Sequence, residues 1–185
     1  MTDELPNVRR IVTGHTPAGK ATIVEDGPSP VEIRNPARPG FVLRNIWRTS
    51  ETPAPVDAPD SITEQEGLLP PAGGTILRVI DFGPEPTDPE ELRQQLEAAF
   101  QAQYPDADHT GSDREQPHPG MHKTATVDYA IVLQGTLTAI LDDCETEMQA
   151  GDILIQRGTN HAWSNRSGEP ARIAFVLVDG VAAAQ

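Results

Sequence analysis

The stretch from Thr126 to Asp179 constrains the fold most. It holds the runs DYAIVLQG, TLTAILDD, ETEMQ, ILIQ and ARIAFVLVD, rich in β-branched and aliphatic residues and separated by turn signals such as Gly135, Asp142-Asp143 and Gly151. Connections this short join antiparallel strands, whereas parallel strands need long crossovers, so the pattern predicts an antiparallel sandwich or barrel. At the front of this stretch His122, Thr124, Thr126 and Asp128 fall at even spacing. An extended chain directs all four side chains to one face. His161 follows the Gly158-Thr159-Asn160 loop, which is how a third candidate ligand returns to the same pocket.

Upstream, RRIVTG and KATIVEDG flank HTPAG, where Pro17 and Gly19 supply turn chemistry, and a hairpin is expected. Residues 27–40 are broken by prolines and glycines and read as an extended connector. FVLRNIWRT and TILRVIDF read as strands. In the first, Phe41, Leu43, Asn45 and Trp47 share a parity that turns Trp47 toward the core or a pocket wall, with core packing expected; in the second, Ile76, Arg78 and Ile80 share one face and Leu77, Val79 and Phe82 take the other. Between them, Ser50 to Gly74 is rich in proline, acids and small residues, and a long loop is expected. TDPEELRQQLEAAFQAQY predicts an amphipathic helix. Asp88 is its N-cap, Pro89 opens it, Glu91 completes a capping box, and Leu92, Leu96, Ala99, Phe100 and Gln103 form its stripe. His109, in the polar loop that follows, is expected to face solvent, as is His15 in the first turn.

Charge removes whole classes of partner. The chain of 185 residues carries 14 basic and 28 acidic groups, a net charge of -14, while nucleic acids and anionic membranes are bound by clustered Lys and Arg. Residues 49–121 alone hold 3 basic and 15 acidic groups, which marks a solvated covering segment. Neither a membrane-spanning run nor the apolar core of a signal peptide is visible, and the single cysteine, Cys144, suits a reducing compartment; a cytoplasmic location is expected.

His122, Asp128 and Gly135, followed by Gly151, Gly158, His161 and Asn165, resemble the two motifs of the cupin superfamily, the small β-barrel fold also called RmlC-like, over about residues 118–178. Thr124 stands where the first motif has its second His, Asp128 where it has Glu, and Gln156 where the second motif has Pro. MHKTATVDYAIVLQG together with IQRGTNHAWSN is similar to a bacterial group of single-domain cupins of the cupin_2 type with an extra N-terminal region. The resemblance implies an all-β chain with an antiparallel cupin or jelly-roll barrel. On it, residues 1–185 form one domain, 118–180 the barrel, and 1–117 a β-rich extension with loops and the one helix packed on the barrel. It also implies a homodimer, and Asn165 as a loop-fixing residue.

Two imidazoles and a carboxylate suit Fe, Mn, Ni, Co or Zn and leave positions open for substrate. His122, Asp128 and His161 are therefore the expected metal ligands and catalytic residues, with Thr124, Thr126, Gln156 and Trp163 as substrate contacts. His118 is a candidate fourth ligand. The expected activity is a metal-assisted lyase or isomerase acting on a small polar organic molecule by dehydration, decarboxylation or isomerisation. Two alternatives stand beside it. One is a metal-free acid/base enzyme built on the same trio, and the other a binding protein without turnover.

Overall fold

The computed structural model describes residues 5–103 and 107–182. Among the described residues eleven strands appear in chain order: β1 (Arg9–His15), β2 (Ala21–Pro28), β3 (Val31–Arg34), β4 (Val42–Thr49), β5 (Thr75–Phe82), β6 (Thr126–Gln134), β7 (Thr136–Leu141), β8 (Glu145–Gln149), β9 (Ile153–Arg157), β10 (His161–Ser164) and β11 (Ala171–Asp179). One α-helix, α1 (Pro89–Gln103), separates β5 from β6. All named pairings are antiparallel, as the short connections require.

Two sheets build the jelly-roll barrel. The larger has the order β3-β4-β5-β11-β6-β9 and the smaller β10-β7-β8. Residues 31–82, expected to belong to an extension, thus supply three strands of the main sheet. Both sheets turn apolar faces inward and share one core, with Phe41, Ile80, Val132, Ile173 and Phe175 from the larger and Leu137, Met148 and Trp163 from the smaller. Alternation does this along β6, where Thr126, Asp128, Ala130 and Val132 are buried while Val127, Tyr129 and Leu133 are exposed.

Several local expectations change. VEIR, inside the proposed connector, pairs with β4 as β3. The long loop from Ser50 to Gly74 contains a short turn of 3-10 helix at Ile62–Glu64 that buries Ile62. Phe82 shares the inner face with Arg78 and Ile80, because its parity is even like theirs, and it lines the same cavity. Trp47 leaves the inner face. The β4–β5 register slips between Asn45 and Trp47, and a bulge of this kind reverses which face the following side chains take. Trp47 instead sits half-buried on the outer face, with the Arg10 guanidinium 5.5 Å from its ring centre. Arg10 also donates to the Ile46 carbonyl at 2.7 Å and pairs with Asp60, which fastens the β1–β2 hairpin to the barrel.

The helix begins as expected. Asp88 Oδ1 accepts from the backbone N–H groups of Glu90 and Glu91 at 2.8 and 3.0 Å, satisfying donors that the first turn leaves open. Leu96, Ala99 and Phe100 are buried; the side chain of Gln103 lies outside the described residues. Among the described residues no helix is long and apolar enough to cross a membrane.

Candidate active site

The inner face of the barrel opens on a cavity of about 80 Å³, walled by α1, the main sheet and β10. Its lining is mostly apolar: Phe41, Ile80, Phe82, Leu96, Phe100, Trp163, Phe175 and Leu177 contribute. The polar groups are few. They are Arg38, Arg78, His122, Thr124, Asp128 and His161.

His122 and His161 are brought together by backbone pairing. Each N–H donates to the other's carbonyl, at 2.9 and 3.1 Å, so the two rings lie side by side with centres 4.3 Å apart. Buried Met121, packed with Ile140 and Ala162, anchors the segment that delivers His122. The Gly120 carbonyl accepts from His122 Nδ1–H at 2.9 Å, which leaves Nε2 as the unprotonated nitrogen. The Thr159 carbonyl accepts from His161 Nδ1–H at 3.0 Å and from the Gln156 amide at 2.8 Å. Burial pushes His122 down to about 3, and the neighbouring His161 adds to the effect against the Gly120 hydrogen bond. Burial likewise lowers His161. Both rings are neutral at ordinary pH.

Asp128 is the opposite case. It is buried, faces Gln156 across the β6–β9 pair, and its Oδ1 has no hydrogen-bond partner among the described residues. Burial raises its carboxyl to about 6, while the Thr126 hydroxyl and the Arg78 guanidinium oppose the rise.

Of the expected substrate contacts, Thr124 and Trp163 line the cavity. Trp163 also belongs to the core, edge-on to Phe175 at 5.2 Å between ring centres. Thr126 and Gln156 stand behind the wall. Thr126 Oγ1 donates to Thr124 Oγ1 at 2.8 Å and so orients a lining residue, while Gln156 donates to the Thr159 carbonyl that also receives His161 Nδ1–H. Asn165 fixes its loop, donating to Phe82 and Glu169 carbonyls at 2.9 and 2.8 Å.

His118 joins a different cluster. Its Nε2 lies 3.4 Å from Glu85 Oε1, its Nδ1 accepts from the Gly120 N–H at 3.0 Å, and Ser164 donates to the other Glu85 oxygen. His109 is not solvent-facing: its ring stacks on Phe100 with centres 3.9 Å apart, and its Nε2 donates to the Pro119 carbonyl at 2.8 Å. Arg38, Arg78 and Phe100 are cavity residues that the sequence reading does not identify. Arg78 carried a signal, since a charged residue at the inward parity of an apolar strand is expensive to bury without a purpose.

The metal site implied by the motifs fits poorly. Protein sites for divalent transition metals take three or more side-chain ligands. Among the described residues no group of three His, Cys, Asp or Glu side chains comes together closely enough to hold an ion. The cavity offers two adjacent imidazoles, and Asp128 does not complete a third position.

Residues 109–178 match the Cupin_2 family, described as a cupin domain. A cupin-domain-containing oxidoreductase of Neurospora crassa is 29% identical over 141 residues, covering 72% of this chain and 56% of that protein. This chain therefore spans little more than half of that relative. A cupin-domain-containing oxidoreductase of Hypocrea virens is 28% identical over 94% of this chain and 78% of its own length. The oryzines biosynthesis cluster protein J of Aspergillus oryzae is 27% identical over 95% of this chain and 85% of its own. These three relatives are fungal, so they lend nothing to the expected bacterial grouping. The matched segment holds the paired histidines and the strands from β6 to β10 with most of β11, and it is this part of the chain that is similar to a cupin domain.

Proposed function

We propose that the chain is a small-molecule enzyme that moves a proton on a substrate with a flat, apolar body and an oxygen function, as in isomerisation or dehydration beside a carbonyl. The observation that carries this is Asp128: a buried carboxyl with an unpartnered oxygen, titrating near 6, in the wall of an apolar cavity that also holds two neutral imidazoles. A carboxyl in that range both takes and returns a proton at neutral pH, which is what a general acid/base needs. In this reading His122 Nε2 accepts a hydrogen bond from a substrate hydroxyl, and the Thr124 hydroxyl, which lines the same cavity, bonds the substrate as well. The aromatic and aliphatic walls exclude water and strengthen each of these contacts. The mostly apolar lining takes the body of the substrate, while the few polar groups meet its oxygen function.

A second reading has one observation in its favour. Both histidines give Nδ1–H to backbone carbonyls, which is how metal-binding imidazoles are oriented. One experiment separates the two. Protein treated with chelator, its metal content checked by elemental analysis, is incubated in deuterium oxide with small enolisable ketones and unsaturated aldehydes, and exchange beside the carbonyl is followed by proton NMR. The acid/base reading expects exchange that survives chelation and disappears in Asp128→Asn. Exchange that requires added metal, or that persists in Asp128→Asn, contradicts it.

A further inference from the structure

The β1–β2 hairpin is a thinly supported part of the fold. Its two strands pair only with each other among the described residues, and a lone two-stranded ribbon is marginal in water. Arg10 fastens its base to the Ile46 carbonyl and to Asp60, but the ribbon then stands off the barrel. Between the ribbon and the outer side of β4 and β5 runs a groove of about 750 Å³, lined by Ile11, Val24, Ile46, Trp47, Val56 and Leu77. Ile11 and Val24 are about half exposed and Val56 fully. Apolar side chains left open along a groove mark a contact surface.

The outer face of the same sheet carries a second apolar patch toward its other edge. Val127, Tyr129 and Leu133 of β6 and Ile153 and Ile155 of β9 are between 37% and 62% exposed, and β11 lies between β5 and β6. Large apolar residues offer about 150–250 Å² each, so this patch exposes roughly 500 Å² and the groove residues roughly 350 Å². Either alone falls short of the ~800 Å² that each partner gives to a standard interface, whereas the two together reach it. Their charges are also complementary. The groove holds Glu25, Asp57 and Asp60 against Arg10, while the one charged side chain that points outward from β6 or β9 is Arg157.

We propose that the groove is filled by the β6–β9 face of a second copy of this chain, gripped by the β1–β2 hairpin, and that the pairing is reciprocal. Two copies stacked outer face to outer face about a twofold axis set each groove on the other's patch, the self-complementarity that a closed dimer requires. Each hairpin then gains a second surface to rest on. The net charge of -14 opposes association elsewhere, so pairing is confined to these two surfaces. The inference concerns association alone and is independent of the chemistry in the cavity.

Light scattering on the full chain should find a dimer at micromolar concentration. Val24→Glu on the hairpin and Ile155→Glu on the patch should each weaken it at least about a hundredfold, the scale of a lost central contact. Val56→Glu should weaken it as well, and its fully exposed loop position leaves folding untouched, which thermal melts of all three variants would verify. The paired surfaces are identified by cross-linking. A photo-reactive phenylalanine analogue is placed at Thr13, which lines the groove, and that chain is mixed with nitrogen-15-labelled wild type before irradiation. Cross-links between chains are expected at residues 127–133 or 153–157. A monomeric wild type, a dimer that tolerates both groove variants, or cross-links that stay within one chain or join hairpin to hairpin overturns the proposal.

Discussion

Two buried carboxylates in this molecule lie near histidines, and they have opposite properties. Glu85 faces His118, receives the Ser164 hydroxyl and lies near Arg38; burial alone would raise it, but these partners outweigh burial and hold it below the ordinary carboxylate range. Asp128 has burial without sufficient compensation, and rises to about 6. Depth is similar, so the number of donors decides. A carboxylate supplied with donors is a structural anion, and one denied them becomes a proton carrier.

The largest effect that sharpens this contrast is on chemistry. Asp128→Asn is expected to lower proton exchange by at least about a hundredfold, the usual range for a general acid/base, while Glu85→Gln leaves the exchange step largely in place where the protein folds.

On stability the order reverses. Glu85→Gln should cost roughly 3 kcal/mol at pH 7, since it leaves buried partners without their anion. Because the folded-state value of Glu85 is depressed, its contribution is present above the ordinary value of 4.5 and is lost as pH falls through the folded one. The variant and the wild type should therefore converge in acid, which denaturant titrations at several pH values would show. Asp128→Asn should instead stabilise at pH 7, by on the order of 1–3 kcal/mol, because the wild-type fold is penalised for ionising this group. That gain should shrink as pH falls through about 6 and vanish below 3.8, where the carboxyl is protonated in both states.

The histidines give a signal of the other sign. Their folded values are depressed, so the fold loses stability as pH drops below the ordinary 6.5, where the unfolded chain takes up protons that the buried rings refuse. A His122→Asn, His161→Asn variant should show a flatter melting temperature between about pH 7 and 5, read by calorimetry. Equal slopes would mean the rings are charged or solvated.

The smallest expected effect lies on the outer face. Tyr129, Ile153 and Ile155 are 45%, 62% and 48% exposed on β6 and β9, with Tyr129 opposite Ile155. An apolar sheet face of this kind marks an association surface, and a homodimer is our proposal for it. Light scattering should find a dimer in the wild type and a monomer in Ile155→Glu.

What was legible in the sequence followed local rules. The even spacing that runs from Thr124 into β6 gave the inward face of Thr124, Thr126 and Asp128, and Asp88 with Pro89 gave the start of α1, because periodicity and capping involve only near neighbours. The pairing of β5 with β11 joins residues nearly a hundred positions apart, and no local pattern announces it. For that reason the N-terminal strands looked like an extension, and Arg78 and Arg38 stayed outside the site. Trp47 was misplaced for a different reason: a bulge breaks the period of two on which parity rests. The missing His at Thr124 remained informative, since the cavity offers two adjacent imidazoles rather than a cluster of three ligands.

The claim on which the rest depends is that Asp128 exchanges its proton near pH 6 rather than near the ordinary 3.8. Carbon-13 NMR of the Asp128 carboxyl, assigned by comparison with Asp128→Asn and recorded on metal-depleted protein across the pH range, measures this without knowledge of the substrate. The structure predicts a midpoint near 6, and a carboxyl that titrates at or below the ordinary 3.8 would contradict it.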